Sequence, residues 1–159
     1  MISDSKIHNI QEAEAAIKVT SSDFILKNTD IYDVLASGAD ALIKSSFESN
    51  IVIDHFKYYS AQVTLFNLES SNVEINNFEM YNATCTSSTS MAIIENSLGL
   101  ILQNWTITNS SASNAVYFSR IAKSESISIN NMTFEGIAQP PMFLKSNKAT
   151  SINALNITG

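Results

Sequence analysis

The sequence is poor in the residues on which many small folds depend. Its 159 residues include one cysteine, two prolines and four glycines. The single Cys85 excludes a disulfide framework within these residues. It leaves two alternatives, a free thiol among small residues or a bridge to a cysteine elsewhere.

Basic residues are also scarce, which restricts the possible partners. Nine Lys and Arg residues stand against 15 Asp and Glu, the net charge is −6, and Arg120 is the one arginine. Nucleic acid is therefore excluded as a partner, because phosphates require clustered cations. No apolar run reaches the length of a membrane span, about 18 residues, and the first residues lack the apolar core of a signal peptide. A polar surface of Ser, Asn and Thr is typical of extracellular or cell-surface β proteins, and we expect that location.

What the sequence does contain is a short pattern repeated seven times. Each copy has six positions. It begins with two apolar residues separated by one residue of any kind, and it continues with a polar residue, an asparagine and an apolar residue. A period of twenty-odd residues indicates a solenoid, in which each coil buries its apolar face against its neighbours. The asparagine position is occupied by Asn9, Asn28, His55, Asn77, Asn104, Asn131 and Asn156.

The alternation around this position predicts strands with one buried face. One strand directly precedes the asparagine position. A second strand follows it and places Phe56, Phe78 and Trp105 in the core. A third strand lies about a dozen residues before the asparagine position, as at Met91–Ile93 and Val116–Phe118. Three short strands per coil predict an all-β parallel β-helix of six to seven coils over residues 1–159. The expected core column is Ile7, Leu26, Ile53, Ile75, Leu102 and Ile129.

The asparagine is expected at a corner between two strands. Asparagine tolerates the left-handed backbone conformation that a tight corner needs, and stacked amides can hydrogen-bond along the axis. We expect these side chains to turn inward, with His55 donating one ring hydrogen bond and binding no metal. The predicted corner ladder is Asn28, His55, Asn77, Asn104, Asn131 and Asn156.

The first coil is the least regular. Thr29 stands where an apolar core residue is expected, and Ile10–Ile17 also has a helix-forming composition. A helix there remains an alternative to the first coil.

The repeat phrase, exemplified by Val73-Glu74-Ile75-Asn76-Asn77-Phe78-Glu79-Met80, resembles the right-handed parallel β-helix of the pectin lyase-like superfamily. The resemblance covers essentially the whole chain. It implies the fold but little about function, since this fold serves polysaccharide lyases, hydrolases, adhesins and surface proteins. The short Asn- and Ser-rich coils are most similar to those of large cell-surface proteins of protists.

The pattern does not predict an enzyme. A pectate lyase-like site needs stacked aspartates for calcium and a basic residue beside them, whereas Arg120 and Lys123 form the one local basic pair. We expect no catalytic residue, no metal and no cofactor. The outward acids are isolated in the pattern: Asp54, Glu74, Glu79, Glu95, Glu125 and Glu135.

Five Asn-x-Ser/Thr sequons are present. Asn82 and Asn109 open variable loops, where a side chain can project into solvent, and they are the glycosylation candidates. Asn104, Asn131 and Asn156 are less favoured because they belong to the predicted corner ladder.

These features together predict a non-catalytic structural or adhesive module of an extracellular or cell-surface protein, glycosylated and able to form filaments. Its expected partners are further coils of a longer chain, end-to-end copies or glycans, because an open coil end offers unpaired backbone groups. The alternative is a fragment of a carbohydrate-active, pectate lyase-like enzyme or a carbohydrate-binding β-helix.

Overall fold

The computed structural model describes residues 1–11, 15–35, 41–69, 71–85, 90–145 and 148–158. Across these ranges the regular elements are strands, which form a parallel β-solenoid of about five turns. The predicted all-β parallel β-helix is confirmed, with about five turns where six to seven coils were expected. The same ranges contain no helix long and apolar enough to cross a membrane.

Seven long strands form one sheet, and each carries one copy of the repeat. Every strand pairs in parallel with the equivalent strand one turn away, in the order β1-β3-β5-β7-β10-β13-β15. Neighbouring strands of such a sheet lie about 4.8 Å apart, which sets the rise of each turn. The long strands are β1 (Ile2–Gln11), β3 (Asp23–Leu35), β5 (Ser49–Ala61), β7 (Ser71–Tyr81), β10 (Gly99–Thr108), β13 (Ile127–Glu135) and β15 (Thr150–Thr158).

Shorter strands form the opposite wall. Six of them build a second parallel sheet, and β8 and β11 form a small sheet of two strands. The short strands are β2 (Ile17–Thr20), β4 (Ile43–Ser46), β6 (Phe66–Glu69), β8 (Thr84–Cys85), β9 (Ala92–Glu95), β11 (Ser111–Ala112), β12 (Ser119–Ala122) and β14 (Met142–Lys145).

Each long strand contains both the strand predicted before the corner and the strand predicted after it. In β10, Gln103 pairs with Asn130 and Trp105 pairs with Met132, while Asn104 between them has a left-handed backbone with φ 54°. The single left-handed residue bends the strand without ending the pairing. The corner is therefore a kink within a strand and not a loop between two.

The core follows the predicted alternation. The column of Ile53, Ile75, Leu102 and Ile129 is buried, and the aromatic column beside it is buried as well. Phe56 and Phe78 stack with ring centroids 5.6 Å apart, and Trp105 meets Phe78 edge to face at 4.9 Å.

Two polar side-chain atoms within this core have hydrogen-bond partners. Trp105 Nε1 donates to the carbonyl of Ile75 (3.1 Å), so the indole is buried without an unpaired donor. Thr29, the unexpected polar residue, is fully buried and donates its hydroxyl proton to the carbonyl of Lys27 (2.8 Å).

The first and last repeats have a different register from the predicted one. Strand pairing places Asp4, not Asn9, beside Asn28, because Ser3 pairs with Lys27 and Ser5 with Thr29. It likewise places Ala154, not Asn156, beside Asn131.

The predicted inward position of Val116 is also wrong, since this side chain is 72% exposed. The alternative helix at Ile10–Ile17 falls partly outside the described residues, but Ile10 and Gln11 lie in β1 and Ile17 in β2.

Candidate functional site

The candidate functional surface is the outside of two of the corners in each turn. At the first corner, seven residues have φ between 45° and 55°. None of their side chains is buried, which contradicts the expectation that they turn inward. A left-handed residue inserted between two strand segments interrupts the in-out alternation and directs its own side chain outward. These residues are Asp4, Asn28, His55, Asn77, Asn104, Asn131 and Ala154.

The amides of this corner form a hydrogen-bonded ladder along the outer surface. Asn131 Nδ2 donates to Asn104 Oδ1 and Asn104 Nδ2 donates to Asn77 Oδ1, both at 2.9 Å. Asn28 Nδ2 donates to Asp4 Oδ1 at 3.0 Å in the first turn. Asn156 takes no part, because it lies opposite Thr133 on an exposed strand and Ala154 occupies the corner.

The ladder continues at the His55 turn through a different residue. Asn77 Nδ2 donates to Asp54 Oδ1 (2.8 Å), and the same carboxylate oxygen lies 2.9 Å from Nδ1 of His55. Partial burial by itself would raise the pKa of Asp54, but the hydrogen bonds from Asn77 and His55 outweigh it and lower that pKa below its ordinary value. Asp54, and not the corner residue His55, thus accepts the hydrogen bond from Asn77.

A second corner, which the repeat pattern does not distinguish from the first, lies five residues further along each turn. Its backbone is also left-handed, with φ between 46° and 62°. Both sequons assigned to loops, Asn82 and Asn109, belong to it and are exposed. Gly136 faces Asn109, and an added Cβ would lie 2.7 Å from Asn109 Oδ1, so a side chain there would crowd the column. The members are Asn9, Asp33, Ser60, Asn82, Asn109 and Gly136.

An aromatic column stands directly before the second corner. His8, Tyr32, Tyr59 and Tyr81 occupy paired positions on four successive long strands. Their ring centroids are 5.0, 4.9 and 4.7 Å apart, and the planes of the three tyrosines differ by 6°. The repeat pattern did not predict this stack. Its signal in the sequence is a ring-bearing residue directly before four of the six members of the second corner, Asn9, Asp33, Ser60 and Asn82.

Oppositely charged side chains on the outer surface pair between turns. Lys57 Nζ lies 2.8 Å from Glu79 Oε2, and Arg120 Nη2 lies 2.8 Å from Glu95 Oε1. The hydrogen bond from Lys57 to Glu79 raises the pKa of Lys57. Lys148 and Glu125 form a third such pair.

The remaining outward acids do not meet at a common point. Glu74 accepts a hydrogen bond from Asn76 Nδ2 (2.6 Å), and Glu135 is exposed at the end of β13. In the described part of the chain, no three His, Cys, Asp or Glu side chains are placed to hold a metal ion. Cys85 is buried, and its sulfur lies 3.2 Å from the hydroxyl of Thr64.

Among the shallow grooves on the described surface, two bear on ligand binding. One, of about 350 Å³, follows the outer side of β5, β7 and β10 and includes Val52, Glu74 and Ile101. The other, of about 370 Å³, has rings and cations in its wall. There Tyr117 stacks on Phe143 with ring centroids 4.5 Å apart, and the wall also includes Arg120 and Lys145.

The comparisons with known proteins return no relative: no protein-family model, no curated protein sequence and no solved structure matches the chain.

Proposed function

We propose that this chain is a non-catalytic structural or adhesive module, a rigid β-solenoid segment of an extracellular or cell-surface protein. The proposal rests on the contacts between successive turns, which connect side chains on the outer surface as well as side chains in the core. Side chains of each turn bond to, or stack on, side chains of the next, as the amide ladder and the aromatic column do. Such ladders stiffen a rod and present the same chemistry at regular intervals.

The charged residues support a structural role. A lyase-like mechanism needs a free Arg or Lys beside a metal-bound substrate, yet the Arg120 guanidinium is paired with Glu95. Lys57 and Lys148 are paired with carboxylates in the same way. Exposed pairs of this kind contribute little individually, but they join adjacent turns along the rod.

The location and the family are part of the proposal. A surface rich in Ser, Thr and Asn supports an extracellular or cell-surface setting, with glycans on exposed sequons. The repeat phrase and the parallel solenoid support a place among pectin lyase-like β-helices, resembling the Asn-rich coils of protist surface proteins. The fold itself is equally compatible with enzymes and with binding modules.

The enzyme alternative is tested directly. The purified chain is incubated with pectin and with alginate, with and without calcium, and unsaturated products and reducing ends are measured. We expect no product above the level given by an Ile75→Asp variant, in which the rod is expected to unfold. Product formation that is lost on Glu74→Gln or Arg120→Lys would overturn the proposal.

A carbohydrate-binding role is the second candidate, and the groove beside Tyr117 and Phe143 favours it. Aromatic rings contact sugar rings, and Arg120 and Lys145 have the charge and donors that suit the carboxylates of acidic polysaccharides. Affinity electrophoresis in gels containing polygalacturonate tests this role. It predicts retardation of the wild type that Tyr117→Ala removes and Ser113→Ala, a change at an exposed serine outside the groove wall, leaves intact.

A further inference from the structure

The tyrosines of the aromatic column differ from the others in the chain. Of five tyrosines, Tyr32, Tyr59 and Tyr81 stand in register on three successive turns, and each is half-buried. Adjacent rings are parallel within 6° and lie 4.9 and 4.7 Å apart. The ring pairs therefore meet face to face along the rod, one turn apart.

This stacking determines which part of each ring is available. Both faces of Tyr59 are covered by the rings of Tyr32 and Tyr81, so a sugar cannot lie flat on Tyr59 as it does on an open aromatic platform. The edges remain, and each edge carries the phenol oxygen and the two carbons beside it. Since the rings are parallel and in register, equivalent edge carbons of neighbouring rings are separated by about one strand spacing, ~4.8 Å.

We propose that Tyr32, Tyr59 and Tyr81 form an oxidative cross-linking site, at which a haem peroxidase using hydrogen peroxide joins tyrosines of adjacent turns as dityrosine. Each phenol loses one electron and one proton to give a tyrosyl radical. Two neighbouring radicals form a carbon–carbon bond between the ring carbons next to their oxygens. Each of those carbons then loses its hydrogen as the phenol is restored. Hydrogen peroxide takes up the two electrons and two protons and becomes two water molecules.

The remaining two tyrosines serve as internal controls. Tyr58 is fully buried and donates its hydroxyl proton to the carbonyl of Val63 (3.0 Å), so an external oxidant does not reach it. Burial also raises the pKa of Tyr58 well above its ordinary value. Tyr117 is half-buried, but its stacking partner is Phe143, which cannot form a phenoxyl radical.

The cross-link would fasten one turn of the solenoid to the next. Tyr59 belongs to both possible pairs, whereas Tyr32 and Tyr81 are two turns apart and do not stack on each other. A covalent bond between turns restricts the unfolded chain, as a disulfide does. The cross-linked monomer is therefore expected to unfold at a higher temperature than the untreated protein.

The test treats the 159-residue chain with a haem peroxidase and hydrogen peroxide, at a protein concentration low enough to suppress coupling between molecules. The monomer is isolated and measured by dityrosine fluorescence, by intact mass and by mass spectrometry of proteolytic peptides. We expect a monomer lighter by two hydrogen atoms, with Tyr59 joined to Tyr32 or Tyr81. Tyr59→Phe, which keeps the stacked ring, should reduce the monomer fluorescence to that of untreated protein.

Two further variants complete the design. Tyr32→Phe should leave the cross-link between Tyr59 and Tyr81, and Tyr117→Phe should leave the monomer fluorescence unchanged. Circular dichroism checks that each variant is folded. The proposal is overturned if the oxidised monomer keeps its original mass, if its cross-link contains Tyr58 or Tyr117, or if the Tyr59→Phe monomer is as fluorescent as the wild type.

Discussion

The corner ladder can be tested at Asn104, its central member. Replacing Asn104 by Ala removes two hydrogen bonds, the one it donates to Asn77 and the one it accepts from Asn131. It also leaves alanine, which has a Cβ but no polar side-chain group, in the left-handed conformation at φ 54°. Asn104→Gly removes the same two hydrogen bonds but adopts this φ without a steric penalty.

The expected magnitudes follow from these two effects. Each hydrogen bond contributes about 0.5–1.5 kcal/mol net, and the half-exposed position of Asn104 favours the lower part of that range. The left-handed conformation costs alanine about 1 kcal/mol more than glycine. We therefore expect the free energy of unfolding to fall by about 2–3 kcal/mol for Asn104→Ala and by about 1–2 kcal/mol for Asn104→Gly.

Urea denaturation of unglycosylated protein, followed by circular dichroism and tryptophan fluorescence, measures these differences. Asn130→Ala is the matched control. It lies on the same outer surface, its Nδ2 donates one hydrogen bond to Ser128 within its own turn, and its φ is not positive. We expect it to lower the free energy of unfolding by less than about 1 kcal/mol. If Asn104→Gly lowers the free energy of unfolding as much as Asn104→Ala does, the argument that the left-handed backbone penalises alanine is refuted. A loss for Asn104→Ala no larger than for Asn130→Ala would refute the ladder.

Three further predictions address the core, the pH dependence and the sequons. Ile75→Asp should unfold the rod, because an unpaired carboxylate in a fully buried position costs more than about 3 kcal/mol. Ile75→Val, its control, should cost about 0.5–1.5 kcal/mol, and a folded Ile75→Asp protein would contradict the core assignment. Because the pKa of Asp54 is lowered in the folded state, its ionised form stabilises the rod at neutral pH. That contribution should disappear as the pH falls through the ordinary aspartate value of about 3.9 and below. The stability difference between wild type and Asp54→Asn should then shrink in acid, and an unchanged difference would count against the role of this carboxylate. In a eukaryotic secretory host, Asn82 and Asn109 should carry glycans more fully than the ladder asparagines, whose Nδ2 atoms are hydrogen-bonded. Glycopeptide mass spectrometry showing the reverse would contradict this order.

The fold and the core could be predicted from the sequence because both depend on local periodicity. Alternation with a period of two places Ile53, Ile75 and Leu102 on one face of a strand, and a repeat of twenty-odd residues stacks those faces into a solenoid. The need for a left-handed residue at a corner likewise explains why asparagine recurs there. Each of these inferences uses only the geometry of a strand and its immediate neighbours.

The tertiary structure decided the register of the terminal repeats and which side chains meet on the outer surface. The first and second corners both accept asparagine, so the sequence could not distinguish Asn9 at the second corner from Asp4 at the first. The final repeat was misaligned for a different reason: Asn156 matched the pattern better than Ala154, which occupies the corner.

The outer ladders required the pairing of whole turns. The outward direction of the corner amides depends on where the left-handed residue falls within the bent strand. The stack of Tyr32, Tyr59 and Tyr81 exists because parallel pairing sets residues from different turns side by side, one strand spacing apart. Local periodicity therefore determined which residues are inside the rod. Which side chains meet on its surface was decided by the register between turns, since that register brings together residues more than twenty positions apart in the chain.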